Sequence, residues 1–171
     1  TSGDDNIAIG FNALPGNTGA SNNVAIGRNS MLNITIGQRN VAVGSYSMAM
    51  NHDGNPRESV DNVFIGYNSG GGTWANAASN QNTAVGANTM DAACNDVDDN
   101  VAFGFNALSA LTTGSDNVAV GSGSLVLNTD GHSNVAIGKG AGAAIVDATF
   151  NTAVGFKAGD GTVDGGRNVS L

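Results

Sequence analysis

Asn100-Val-Ala-Phe-Gly-Phe-Asn-Ala-Leu-Ser-Ala-Leu-Thr-Thr-Gly-Ser-Asp116 is one copy of a phrase that returns along the whole chain, and its reading decides the fold. The opening five residues recur as Asn6-Ile-Ala-Ile-Gly10, Asn23-Val-Ala-Ile-Gly27, Asn40-Val-Ala-Val-Gly44, Asn62-Val-Phe-Ile-Gly66, Asn82-Thr-Ala-Val-Gly86, Asn100-Val-Ala-Phe-Gly104, Asn117-Val-Ala-Val-Gly121, Asn134-Val-Ala-Ile-Gly138 and Asn151-Thr-Ala-Val-Gly155. A further copy begins at Asn168-Val169. Successive Asn positions lie 17, 17, 22, 20, 18, 17, 17, 17 and 17 residues apart. A fixed short period marks a solenoid, in which each unit is too small to bury its apolar side chains alone and stacks on its neighbours. The expectation is an all-β parallel β-roll, or β-solenoid, of about ten 17-residue coils, with residues 1–171 a single repeat domain from a longer fibre protein.

Counting from the opening Asn, positions +1 and +3 are Ile, Val, Thr or Phe, and +2 is Ala in every copy except Phe64. This alternation reads as a short strand with two apolar faces. The larger side chains, such as Val118 and Val120, are expected to fill the core, leaving the Ala face, such as Ala119, for close approach of another backbone. The following Gly fits a bend with no room for a side chain. A second short strand is expected at Ala13-Leu14, Ser30-Met31, Ser47-Met48, Thr89-Met90, Ala107-Leu108 and Ser124-Leu125. Thr112-Thr113-Gly114-Ser115-Asp116 is turn chemistry, with Ser115 a solvated residue whose truncation should be nearly silent. Stacking places each Asn over its own copy, and an amide that both donates and accepts predicts an Asn ladder.

Composition limits the function. The chain carries -8 net charge and no Lys/Arg cluster, which disfavours nucleic acid as a partner. No apolar run reaches the ~20 residues a membrane helix needs, so membrane insertion of this segment is not expected. One cysteine, Cys94, excludes an internal disulfide and reads as a small half-buried side chain. Units this small need a further buried face, and the Ala side is expected to provide it through association of copies.

The Asn-Val-Ala-Ile-Gly phrase with its small-polar/Ala-Leu step resembles the head repeats of trimeric autotransporter adhesins, and the fuller form over 100–116 is still more similar to repeats of bacteriophage tail-fibre proteins. The resemblance implies a left-handed roll assembled as a homotrimer, extracellular, at a virion tail fibre or a bacterial cell surface. It also implies a structural, non-enzymatic role: a shaft or head, joined to neighbouring fibre segments, that contributes to host attachment. The rival is a bacterial adhesin head binding host matrix or cell-surface glycan or protein. A polysaccharide depolymerase, the third reading, needs a cleft and paired carboxylates that the repeat does not supply.

Departures from the repeat are the candidate contact sites. Longer loops are expected at 49–61 and 70–81, carrying Asn51-His-Asp-Gly-Asn-Pro-Arg-Glu58 and Gly70-Gly-Gly-Thr-Trp-Ala-Asn76. Insertions in a solenoid collect on one face, often the binding face. His52, Asp53, Arg57, Glu58, Tyr67, Trp74 and Asn76 are the possible ligand contacts, with Trp74 either an exposed platform or a plug that seals its loop onto the coil. No cofactor is expected: Gly138-Lys-Gly-Ala-Gly142 lacks Walker spacing and a following helix. Asp96, Asp98 and Asp99 are the residues a Ca2+ ion would use, yet their run lacks the Gly and Glu of an EF-hand loop and reads first as a solvated acidic turn.

Overall fold

The computed structural model describes residues 3–49, 58–74, 78–161 and 165–171. Every copy of the phrase forms a strand: β1 (Ile7–Ile9), β2 (Val24–Ile26), β3 (Val41–Val43), β4 (Val63–Ile65), β5 (Thr83–Val85), β6 (Val101–Phe103), β7 (Val118–Val120), β8 (Val135–Ile137), β9 (Thr152–Val154) and β10 (Val169–Ser170). They lie in chain order in one parallel sheet. The chain is therefore a β-solenoid of about nine turns, and the described residues contain no helix. Each strand pairs with its equivalent, as in Val101↔Val118 and Ala102↔Ala119. The register holds across the 22-residue step as well, with Val41 opposite Val63.

The Asn ladder is continuous. At every step from Asn6 to Asn168, both the backbone N–H and the side-chain Nδ2 of one Asn donate to Oδ1 of the Asn one coil earlier, at 2.9–3.1 Å. The remaining Nδ2 proton reaches a carbonyl across the coil, Gly114 O for Asn100 and Gly131 O for Asn117. These Asn are buried through the middle of the stack. Their polarity costs nothing there because the amide is satisfied on both sides.

The two faces of the strand are the reverse of the sequence expectation. Ala25, Ala42, Ala84, Ala102, Ala119 and Ala136 are fully buried inside the coil, and the β-branched +1 and +3 residues face outward, half-exposed. The cause is volume. Position +8 points across the narrow coil at position +2 of the same turn: a Cβ on Gly142 would sit 3.5 Å from Ala136 Cβ, and one on Gly159 would sit 3.1 Å from Ala153 Cβ. Position +8 already holds the large residues Leu14, Met31, Met48, Met90, Leu108 and Leu125, all buried. Interiors pack to near-crystal density, so a large residue at +8 leaves room only for Ala at +2.

Phe64 obeys the same rule from the other side. Its partner at +8 is Gly70, whose added Cβ would lie 2.6 Å from the Phe64 ring. Gly70→Ala is therefore expected to destabilise by about 2 kcal/mol from overpacking, and much less in a Phe64→Ala background. A double-mutant cycle by chemical denaturation checks this, and additive effects would refute the pairing.

The expected second strand is absent. Leu14, Met31, Met48, Met90, Leu108 and Leu125 have φ between 45 and 51°, and two residues earlier Asn12, Asn29, Tyr46, Asn88 and Asn106 have φ between 52 and 59° and Gly123 has φ 67°. Left-handed residues at alternate positions make a bend that still bonds coil to coil, as in Leu108 N to Ser124 O at 3.1 Å and Asn106 N to Ala87 O at 3.1 Å. That geometry explains the residue choice: Asn tolerates φ > 0, and +8 is Leu, Met or Gly, never β-branched.

Ser115 is also more than a solvated turn residue. Its Oγ accepts the backbone N–H of Asp98 at 3.1 Å. Ser115→Ala is accordingly expected to cost about 1 kcal/mol, measurable as a fall in denaturation midpoint, rather than nothing.

Candidate functional site

Three places could carry contacts: the long loops, the acidic turn and the outer face of the sheet. In the first, His52, Asp53, Arg57 and Asn76 lie outside the described residues. Glu58 is exposed where the first long loop returns to the coil. Tyr67 is 58% exposed at the bend after β4, with Tyr46 of the preceding coil edge-on to it at 6.4 Å between ring centroids. Trp74 is 4% exposed and stacks edge-to-face on Phe64 at 5.6 Å. The structure thus separates the two aromatic candidates. Tyr67 and Tyr46 offer ring surface to solvent, while Trp74 closes the enlarged coil that Phe64 and Gly70 create. Tyr46 carried no signal in the sequence beyond its place one coil before Tyr67.

The acidic turn is bonded to the backbone of the preceding coil. Asp98 Oδ1 accepts the N–H of Asn80 at 2.6 Å, and Asp99 N donates to Asn80 O at 3.1 Å. Asp96 and Asp99 are exposed. Among the described residues no group of three or more His, Cys, Asp or Glu is placed to hold a metal ion. Nor, among those residues, is any helix long and apolar enough to cross a membrane.

Cys94 is fully buried, with its thiol near Leu111 O at 3.6 Å. Burial, assisted by the nearby Asp91 carboxylate, pushes the thiol up to about 12. The thiolate is the reactive form. Folded protein is therefore expected to resist iodoacetamide at neutral pH and to label fully in denaturant, as mass spectrometry would show. Rapid labelling of the native state would contradict the burial.

The outer face is the most extended feature. Columns +1 and +3 run Ile7, Val24, Val41, Val63, Thr83, Val101, Val118, Val135, Thr152, Val169 and Ile9, Ile26, Val43, Ile65, Val85, Phe103, Val120, Ile137, Val154. Neither contains a charge. Phe103 is 41% exposed and Val120 37%. At about 4.8 Å per strand the strip is roughly 43 Å long. Sequence reading missed it by placing these side chains inside. Comparison with known proteins finds no family model, no curated protein and no solved structure that matches the chain.

Proposed function

We propose that the chain is a structural rod segment of an extracellular fibre, in which three copies pack their sheet faces around a common axis and hold an attachment surface away from its anchor. The observation that carries this reading is the uncharged outer strip. A soluble monomer rarely leaves so long a contiguous apolar surface in water, and such surfaces mark association sites. The strip repeats at every coil, so a partner that matches it must repeat at the same spacing, which a parallel copy does. The number three comes from the resemblance to tail-fibre and trimeric adhesin head repeats. The contact face proposed here is the β-branched one, because the Ala face is spent inside each coil. A mechanical role fits the rest: a continuous hydrogen-bonded ladder resists bending, and exposed Glu58 and the Tyr46–Tyr67 pair offer side chains for attachment contacts.

Light scattering on the purified segment tests the reading. A mass about three times 16.9 kDa is expected, and Val120→Lys, which sets a charge in the strip, should shift the population to smaller species. A folded wild-type monomer would overturn it.

A further inference from the structure

Tyr46 stands where the backbone least favours it. Its φ is 59°, and the left-handed bend at position +6 is otherwise held by Asn or Gly, as in Asn29, Asn68, Asn106 and Gly123, with Lys157 the other exception. A bulky side chain at positive φ is unusual, and where it persists it points to a functional constraint. Here the conformation sets the Tyr46 ring against Tyr67 of the next coil, with centroids 6.4 Å apart and 79° between the planes. These are the only 2 tyrosines in the chain. They bracket the 22-residue step from Asn40 to Asn62, the longest in the repeat. The backbone around them is clamped from coil to coil, with Tyr46 N bonded to Arg28 O at 2.9 Å, Asn68 N to Ser45 O at 3.0 Å and Met48 N to Ser69 O at 2.8 Å.

The other readily oxidised side chains among the described residues are shielded. Met31, Met48, Met90 and Cys94 are fully buried, and Trp74 is nearly so. Tyr67 and Tyr46, by contrast, present their rings outside the coil wall. A one-electron oxidant arriving from solvent therefore meets these two phenols first.

We propose that Tyr46 and Tyr67 form an oxidative cross-linking site, whose co-reactant is hydrogen peroxide activated by a haem peroxidase. Each phenol gives up one electron and one proton, leaving a phenoxyl radical, and the peroxide that takes them up becomes two waters. The radicals couple through ring carbons ortho to oxygen. The hydrogen on each coupled carbon then shifts to the neighbouring oxygen, restoring both phenols. One C–C bond is formed, and the chain has lost two hydrogens. The product ties one coil to the next across the longest step of the repeat, and a covalent link constrains the unfolded chain more when the loop it closes is longer. The site does not rest on the association proposed above, because both rings belong to one chain.

Treating the full chain with hydrogen peroxide and a haem peroxidase tests the site, with dityrosine fluorescence and mass spectrometry of the denatured, digested product as the readouts. The expected product has the mass of one chain less two hydrogens, joins the Tyr46 peptide to the Tyr67 peptide, and unfolds about 5 °C higher than the untreated protein. Tyr46→Phe and Tyr67→Phe each keep the ring contact and should lose the fluorescence. Absence of dityrosine at a dose that couples free tyrosine, links found only between copies, or a melting midpoint that the link leaves unchanged would each overturn the inference.

Discussion

Gly104→Val is expected to lower the thermal unfolding midpoint by about 10 °C or more, from a loss of roughly 4 kcal/mol. Gly104 has φ +129°, and a Cβ added there would lie 2.7 Å from Gly121 C, 2.8 Å from Gly121 O and 2.9 Å from Ser122 N. The obstruction is backbone of the next coil, held in place by Gly121 N bonding to Phe103 O at 2.7 Å. Neither coil can yield without breaking the ladder. Gly123 supplies the contrast. Its φ is +67° with nothing within 4 Å of an added Cβ, and the same place in other coils is taken by Asn88 and Asn106. Gly123→Asn should therefore be nearly silent in the same circular-dichroism melt. Equal effects of the two substitutions would show that the Gly column does not bring successive coils into contact.

That contrast shows what the sequence can and cannot disclose. The period, the strand positions, the parallel register and the Asn ladder were all legible, because stacked equivalents must satisfy the same constraint and so repeat the same residue. Which face of the strand points inward was not read correctly. Hydrophobicity suggested that Val118 and Val120 belong inside, yet the deciding quantity was the space left by the opposite wall. A clue was present in the variability: +3 ranges from Val120 to Phe103 with no compensating change, as an outer position can, whereas the one enlarged +2 residue, Phe64, comes with Gly70 six residues later. The second strand failed for a different reason. Alternating apolar and polar residues look alike in a strand and in a bend of alternate left-handed residues, and only the absence of β-branched side chains at Met31, Met90 and Leu108 separates them. Of the candidate contacts, Tyr67 and Glu58 are exposed and Trp74 is not. A lone Trp in a glycine-rich loop gave no information on which side of the coil wall it would lie.

The reversed faces also change how association and stability are linked. If the Ala column were the contact surface, a bulky substitution there would block assembly and leave each coil intact. With Ala102 and Ala119 buried inside, the same substitution attacks the coil itself, and the proposed association would be tuned separately by the outer columns. In the proposed rod the two properties can thus vary independently.

Asn100→Asp is expected to destabilise the solenoid by about 3–5 kcal/mol at neutral pH, the scale for leaving buried polar groups and a charge uncompensated. Asn100 Nδ2 donates to Asn82 Oδ1 at 3.1 Å, Asp98 O at 2.9 Å and Gly114 O at 3.1 Å, while its Oδ1 accepts from Asn117 N at 2.9 Å and Asn117 Nδ2 at 3.1 Å. A carboxylate keeps the accepting half and turns the donating half into three oxygens facing an anion. Burial and those oxygens raise the folded-state value of the new carboxyl above its unfolded value near 3.9. Protonation restores one donor, so the penalty is smallest below about pH 3.9 and grows as pH rises from there through the folded-state value. The native carboxylates act alike in both proteins and in both directions: burial raises Asp91, whose contribution to stability is lost as pH rises. Asp61 is held below the usual carboxylate range by its hydrogen bond to Arg39, and Asp130 by the hydroxyls of Thr113 and Thr112, so their contributions are lost on acidification. Urea midpoints of the two proteins measured from pH 7 downward should therefore converge. Parallel curves would mean that the amide at position 100 is not the buried link between coils that its hydrogen bonds describe.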